Sequence, residues 1–491
     1  MDVKLNLATV KALLASAPVL LRIMVLNLSS RSPAAGKQDL RVELVVNLIR
    51  SFITFSHPVG KTQRGTLSDP GIKGPMWISK VTMPRSAEHS IIQSMMRAVD
   101  HYKEGHEAYH VPELVDVEAE WTGYRSGVNA RAPQPNISEA EKYEQLMGEV
   151  KEDLTILYLH GGAYYLMDPC THRGTTSRLA KETGGRCLSV RYRLAPQDPF
   201  PSAILDALLA YLYLLSPPEG SLHSPVPADK IVFAGDSAGG GLSLALLQAI
   251  LTLRRLSPNP TIQFHGKDVP LELPAGVAAC SPFCDVTLSL PSTTSNVYLD
   301  YLVPRFGQEA DFKPFPFPPD SVWPASPPRA EFYANANMLT HPMVSPLSGS
   351  KDIWKGSPPI FITVGEEMIE DDSIYLAKKV HEAGGTVILE RFEGMPHCFA
   401  MIFGDTPGGK RSFQGWSGFC LDAVHGRVKR TEDAFYIDHR GQTIVTKKLS
   451  EIGTLTDEEV QQKMLKGMDW RIKGEDVLVK AWEEMQKKAK L

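Results

Sequence analysis

The sequence predicts an α/β fold in which a parallel sheet is flanked by helices, and three observations carry that expectation. Short apolar runs recur along the middle of the chain (Leu154–Leu159, Cys187–Val190, Ile231–Ala234, Ala275–Cys280, Pro359–Val364 and Val387–Phe392), at strand length and rich in β-branched residues. Helical stripes separate several of them, such as Ile204, Leu205, Leu208, Leu209, Leu212 and Leu215. The third observation is Gly235-Asp236-Ser237-Ala238-Gly239, a G-x-S-x-G turn between the run Ile231–Ala234 and a helical pattern from Gly240. Such a strand-to-helix turn lifts a serine oxygen onto the upper edge of the sheet, and its small residues allow backbone to approach backbone.

A serine hydroxyl is a weak nucleophile at neutral pH. Chemistry at Ser237 therefore requires a base, a group that orients the base, and donors for an oxyanion. The strand Leu154–Leu159 ends in His160-Gly161-Gly162, which places glycine amides at the sheet edge without obstructing side chains. Near the other end, the strand Val387–Phe392 runs into Glu393-Gly394-Met395-Pro396-His397, and a histidine in that loop can reach across to Ser237.

Composition sets outer bounds. The chain has 491 residues, 43% hydrophobic and 22% charged, with a formal net charge of −4, so a large core is expected and nucleic-acid binding is not. Its six cysteines lack the density of a disulfide scaffold, and Cys280 and Cys284 lack the second pair that a zinc site needs.

In chain order, residues 5–28 are apolar but interrupted by Lys11, Pro18 and Arg22, which disfavours a membrane span and also a cleaved signal. A second stripe (Val42, Val45, Leu48, Ile49, Phe52) follows. The two helices are expected to cap an active site, with peripheral membrane contact through residues 5–55 as the alternative. Residues 56–74 read as a loop. Trp77–Met83 and Val117–Trp121 read as antiparallel first strands, and residues 126–152 as an exposed insertion with a charged helix after Ser138. The prolines of Tyr192–Ala203 predict an extended entry into a helix near Ser202. Residues 257–274 read as polar and Pro-rich. The Pro-rich stretch 304–328 is a surface loop, or one whose Phe312, Phe315, Phe317 and Trp323 wall a substrate pocket. Gly404–Gly418 reads as a loop, and Thr456–Lys466 and Glu475–Lys488 as two charged helices of unassigned role.

His160-Gly161-Gly162, the Tyr192–Ala203 stretch and Gly235-Asp236-Ser237-Ala238-Gly239-Gly240, in this order, resemble the hormone-sensitive-lipase-like branch of the α/β-hydrolase fold esterases, over roughly residues 150–405. The resemblance implies a mostly parallel eight-stranded sheet and a triad of Ser237, an acid and His397, the last matching the family's G-x-x-H-x-F pattern. Laid on the family's Asp-Pro-Leu-x-Asp pattern, Glu367 takes the acid's place, a glutamate where aspartate is usual, and Asp371 is the rival. Glu366, Glu370 and Asp372 are expected to be solvated or helix-start charges. The resemblance further implies oxyanion donors at Gly161, Gly162 and Ala238, a supporting role for His160, and no metal or organic cofactor.

The expected organisation is an N-terminal helical cap with first strands over 1–110, a catalytic domain over 111–405 and an extension over 406–491. The expected function is a serine carboxylic-ester hydrolase for short- to medium-chain or acetyl esters of hydrophobic alcohols, steryl acetates and secondary-metabolite esters among them. An amide hydrolase with the same triad, and a non-catalytic small-molecule receptor on the same fold, are the alternatives. The expected partner is a small hydrophobic ester. The expected location is intracellular, in the cytoplasm or at a membrane surface such as the endoplasmic reticulum.

Overall fold

The computed structural model describes residues 7–53, 57–105, 107–303, 312 and 317–489. Phe315, one of the aromatics singled out above, lies outside them.

Ten strands form one sheet: β1 (Met76–Met83), β2 (Val117–Tyr124), β3 (Thr155–Leu159), β4 (Arg186–Arg191), β5 (Ile231–Asp236), β6 (Gly276–Cys280), β7 (Ile360–Gly365), β8 (Val387–Phe392), β9 (Asp433–Ile437) and β10 (Ile444–Lys448). Their spatial order is β1-β2-β4-β3-β5-β6-β7-β8-β9-β10. From β4 to β9 every pairing is parallel, whereas β1 with β2, β2 with β4 and β9 with β10 are antiparallel. The sheet thus exceeds the eight strands expected, because β9 and β10 from the C-terminal extension add to its edge.

The central strands β3 and β5 are buried throughout, as their unbroken apolar runs require. From β3 the chain crosses one way to β4 and then returns to β5 on the other side. This reversal opens a crevice at the carboxyl ends of β3 and β5, where open α/β sheets place their ligands. His160 and Ser237 are the residues that immediately follow these two strands.

Helices cover both faces. One carries Ser90–Asp100, Ser202–Leu215, Ala238–Leu256 and Glu370–Glu382, whose apolar side chains share a core with β3, β5 and β7. The other carries Pro169–Thr183 and Pro407–Val424. Helix Pro169–Thr183 starts where it does because the Asp168 side chain caps the Cys170 amide at 2.8 Å and Pro169 occupies the first helical position.

Several segments depart from the sequence reading or add to it. Residues 56–74 contain a helix, Val59–Thr66, whose Gln63 amide donates to the carbonyls of Tyr165 (2.9 Å) and Ala195 (2.8 Å). The expected loop 404–418 belongs to helix Pro407–Val424: its glycines argue against a helix, but Phe413, Trp416, Phe419 and Cys420 bury one face against the sheet. Gly409 is required there, since a Cβ would lie 2.1 Å from the Phe403 carbonyl oxygen. The two charged helices are one, Asp457–Ala489, and the two glycines that broke the pattern are where it packs closest: a Cβ on Gly474 would strike Phe312 at 2.1 Å, and one on Gly467 would crowd Thr287. The polar stretch 257–274 holds a hairpin, Thr261–Phe264 with Lys267–Pro270. The proline run before Ser202 follows turns rather than an extended path.

No helix among the described residues is long and apolar enough to cross a membrane.

Candidate active site

β5 ends in a left-handed residue. Ser237 has φ 51° and ψ −123°, a conformation an L residue adopts only when its surroundings hold it. They do: its amide donates to the Cys280 carbonyl (2.9 Å), and its own carbonyl accepts from Phe283 (2.9 Å) and Gly241 (3.0 Å). The glycines are equally constrained. A Cβ on Gly239 would lie 2.0 Å from the Leu159 carbonyl oxygen, and one on Gly235 would lie 2.5 Å from Gly239. The strained turn aims the hydroxyl away from the sheet.

That hydroxyl meets His397. The Nε2 of His397 lies 2.9 Å from Ser237 Oγ, and its Nδ1 lies 2.7 Å from Glu367 Oε1. The other oxygen of Glu367 accepts from the Ser281 hydroxyl (2.6 Å) and the Gly365 amide (3.1 Å). Both His397 and Glu367 are buried. Burial disfavours the imidazolium, but the Glu367 carboxylate together with Asp300 and Asp236 outweighs it, so the His397 pKa stands above the ordinary imidazole value. Cys398 Sγ lies 3.5 Å from His397 Nε2, and burial raises its pKa well above the usual thiol range.

The other acids of the Gly365–Asp372 run point elsewhere. Asp371 accepts from the Ser292 amide (2.8 Å) and makes no contact with His397 among the described residues. Glu366, Glu370 and Asp372 are buried rather than solvated, although Glu370 and Asp372 do stand in a helix's first turn. Glu366 binds Lys37 and Arg391 and accepts from the Gly394 amide; Glu370 binds Arg391 and Asn296; Asp372 accepts from Cys284 and Asp285 amides. They are buried because the chain folds the 284–296 and 391–394 segments over them, which local sequence does not reveal.

The glycine loop after β3 lies beside Ser237. Gly162 has φ 113°, and a Cβ there would lie 2.2 Å from the Leu166 carbonyl oxygen, so only glycine fits. The amides of Gly162, Ala163 and Ala238 donate to no acceptor among the described residues. Gly161, expected to offer its amide to an oxyanion, donates instead to Asp236 Oδ1 at 3.2 Å. Asp236 is the loop's anchor, since the same oxygen accepts from Tyr158 Oη (2.6 Å) and lies 3.3 Å from His172 Nε2. His160 is buried with Nδ1 2.7 Å from the Gly161 carbonyl oxygen, its ring stacked on Tyr192 at 4.2 Å. Burial, with His172 adjacent, holds the His160 imidazole down to about 3, so it is neutral.

Sequence reasoning missed Asp236, Tyr158, His172, Ser281 and Asp300 as parts of this neighbourhood. Asp236 stood inside the serine motif and Ser281 at the Ser-Pro turn, so both were visible; the rest carry no local signal. Of the aromatics assigned to a pocket wall, Trp323 packs with Phe332 (4.5 Å between centroids), and Phe332 with Tyr165 of the glycine loop (4.6 Å).

A sequence profile for the α/β-hydrolase fold matches residues 156–401, the stretch from β3 to just past His397. An acetyl-hydrolase of Streptomyces hygroscopicus is 31% identical over 276 residues, covering 56% of this chain and 78% of its own. An esterase of Acinetobacter venetianus is 29% identical over 260 residues, 53% of this chain and 72% of its own. Among solved structures, an esterase/lipase from an uncultured bacterium superposes with a TM-score of 0.52 at 22% identity, covering 79% of this chain and all of that one, which bears on the fold. With the serine turn, the glycine loop and the ten-stranded sheet, these similarities establish that the chain belongs to the α/β-hydrolase fold family, as a hydrolase of the carboxylesterase type.

Proposed function

We propose that this hydrolase cleaves short-chain carboxylic esters, acetyl esters above all, of hydrophobic alcohols through an acyl-enzyme on Ser237. The observation that carries the reading is the continuous hydrogen-bonded line from Ser237 Oγ to His397 to Glu367, at 2.9 and 2.7 Å. His397 Nε2 takes the hydroxyl proton as Oγ attacks the ester carbon, and Glu367 fixes the tautomer and supports the imidazolium. The amides of Gly162, Ala163 and Ala238 receive the developing oxyanion, with Gly161 serving the loop through Asp236. His397 then passes its proton to the departing alkoxide. Water repeats the cycle and frees the acid.

Two features favour a small acyl group and an apolar alcohol. Tyr164, in the glycine loop, stacks on Tyr333 with ring centroids 3.6 Å apart, a rigid wall next to the serine helix at Gly241. The 31% identical relative is named an acetyl-hydrolase. The N-terminal segment lies against the catalytic loops: Gln38 Nε2 donates to the Gly394 and Leu299 carbonyls, both at 2.7 Å, consistent with a cap over 1–110. Lipid contact through this segment is supported by Val19, Leu21, Val25 and Leu28, which are 54–71% exposed on helix Leu7–Leu28.

The test is hydrolysis of p-nitrophenyl esters from acetyl to dodecanoyl, beside Ser237→Ala, Glu367→Gln and Asp371→Asn. Turnover is expected to peak at short chains, vanish in Ser237→Ala and fall on the order of 10³- to 10⁴-fold in Glu367→Gln. Asp371→Asn is expected to stay within about 3-fold, because its carboxylate faces Ser292. Absence of both turnover and a fluorophosphonate adduct on Ser237 would leave the receptor reading. Comparing acetyl anilide with acetyl ester separates the amide hydrolase, which must protonate a poorer leaving group.

A further inference from the structure

Next to the proposed triad lies a second carboxylate that the reaction described above does not use. Asp300 is fully buried between the loop carrying Glu367 and the loop carrying His397. Its Oδ2 accepts from the Met368 amide at 2.8 Å, the residue after the acid, and its Oδ1 accepts from the amide of His397 itself at 3.2 Å. A weaker bond from the Leu302 amide, 3.3 Å, completes the set. Arg50, from helix Leu40–Phe52, donates to the main-chain carbonyls of Val297 (2.5 Å) and Asp300.

We propose that Asp300 is a positioning residue for this hydrolase: one carboxylate ties the backbone of the acid loop to the backbone of the base, setting the His397 ring against Glu367 and adding a second negative charge beside it. The inference rests on the serine-hydrolase reading above.

The chemistry explains why a carboxylate suits this place. A carboxylate is an acceptor on both oxygens and can hold two converging N–H groups from different loops, whereas an amide would turn its own N–H₂ toward one of them. Glu367 and His397 stand on loops after β7 and β8, and each loop alone could relax by an ångström. A misplacement of that size costs about 100-fold in rate. Charge acts in the same direction. The groups facing His397 are Glu367 and Asp300, with Asp236 beyond, the neutral Ser237 and Cys398, and the Tyr301 ring at 6.0 Å. Burial lifts the Asp300 carboxyl above the ordinary carboxylate range while His397 opposes the lift, so a proton gained by the imidazole and a charge kept by Asp300 favour each other.

The experiment compares the full-length wild type with Asp300→Asn, and with Asp371→Asn as a control that removes a nearby half-buried carboxylate without touching His397. The readouts are kcat and KM for p-nitrophenyl acetate, the pH profile of kcat/KM, and the titration of the His397 ring by NMR. Asp300→Asn is expected to lower kcat roughly 10- to 100-fold with KM nearly constant. It is also expected to move the acid limb of the profile, and the ring titration with it, about half a pH unit lower. If Asp300→Asn does not fold, Asp300→Ser removes the charge and leaves a small acceptor. An unmoved limb and an unmoved ring titration, or a kcat loss no larger than in the control, overturn the proposal. Because the ring titration needs no turnover, an inactive wild type whose ring still shifts on Asp300→Asn would remove the esterase mechanism and leave the positioning of His397 by Asp300 standing.

Discussion

Ser281 donates its hydroxyl to Glu367 Oε2 at 2.6 Å. The Ser281 Oγ in turn accepts from the Cys398 amide at 3.1 Å, so one small side chain on the β6 exit joins the acid to the histidine loop. Removing it leaves a buried carboxylate with one partner fewer, a cost of about 1–3 kcal/mol. Ser281→Ala is therefore expected to lower the unfolding free energy by that amount in a denaturant titration. Its kcat should fall about 10-fold, as Glu367 loses the contact that aims it. An unchanged kcat with intact stability would show that the Gly365 amide alone orients the acid.

The pH dependence follows from His397. Its folded pKa is raised, and the general base must be neutral, so activity is expected to rise with pH through a limb above the ordinary imidazole value of about 6.5. The stability contribution has the opposite sense: a raised histidine stabilises the fold at pH below its unfolded value and ceases to do so as pH rises through the folded one. A kcat/KM profile on p-nitrophenyl acetate with its acid limb below pH 6 would contradict this assignment.

Glu390 provides a stability test away from the triad. It lies on β8 beside helix Pro407–Val424, paired through Oε1 with Arg411, and Oε2 takes no hydrogen bond from any described residue. Burial raises its carboxyl to about 7. The folded chain therefore holds a proton that the unfolded chain releases near its ordinary value. The associated stability is complete below that value and is lost as pH rises through about 7. Between pH 5 and pH 8 the wild type is expected to lose on the order of 2 kcal/mol, and Glu390→Gln to show a flatter dependence. Chemical denaturation at the two pH values measures it.

Lipid contact makes its own prediction. The outward face of helix Leu7–Leu28 offers Leu21, Val25 and Leu28 at a spacing of four and three residues. Replacing Val25 and Leu28 by Asp is expected to reduce co-sedimentation with phosphatidylcholine/phosphatidylserine vesicles at least about 10-fold, since each removes roughly 1.5 kcal/mol or more of apolar transfer. Hydrolysis of a water-soluble ester should be unchanged. Equal sedimentation of both forms would assign that face to another occupant.

Much of this protein is legible in its sequence because the signals are local. The apolar run before Gly235 and the stripe after Gly240 define β5 and its helix, and only small residues fit the turn between them. The order of serine, acid-bearing strand end and histidine loop can likewise be read along the chain. The ends of β3 and of β5 follow from where their apolar runs stop.

The remainder depends on residues far apart in sequence. Five acids follow Gly365, all similar in the sequence, and which of them touches His397 is decided by how β7 and β8 lie side by side and by the lids that 284–296 and 391–394 place over the others. Gly161 and Gly162 are adjacent, yet Asp236 from the neighbouring strand engages the amide of one and leaves the other open. Helix Pro407–Val424 forms despite its glycines because a sheet face is there to bury Phe413, Trp416 and Phe419. Local geometry of strand, turn and helix follows from residue spacing along the chain, whereas which polar groups meet follows from the packing of distant segments, because burial and hydrogen bonding are settled by partners that local spacing cannot name.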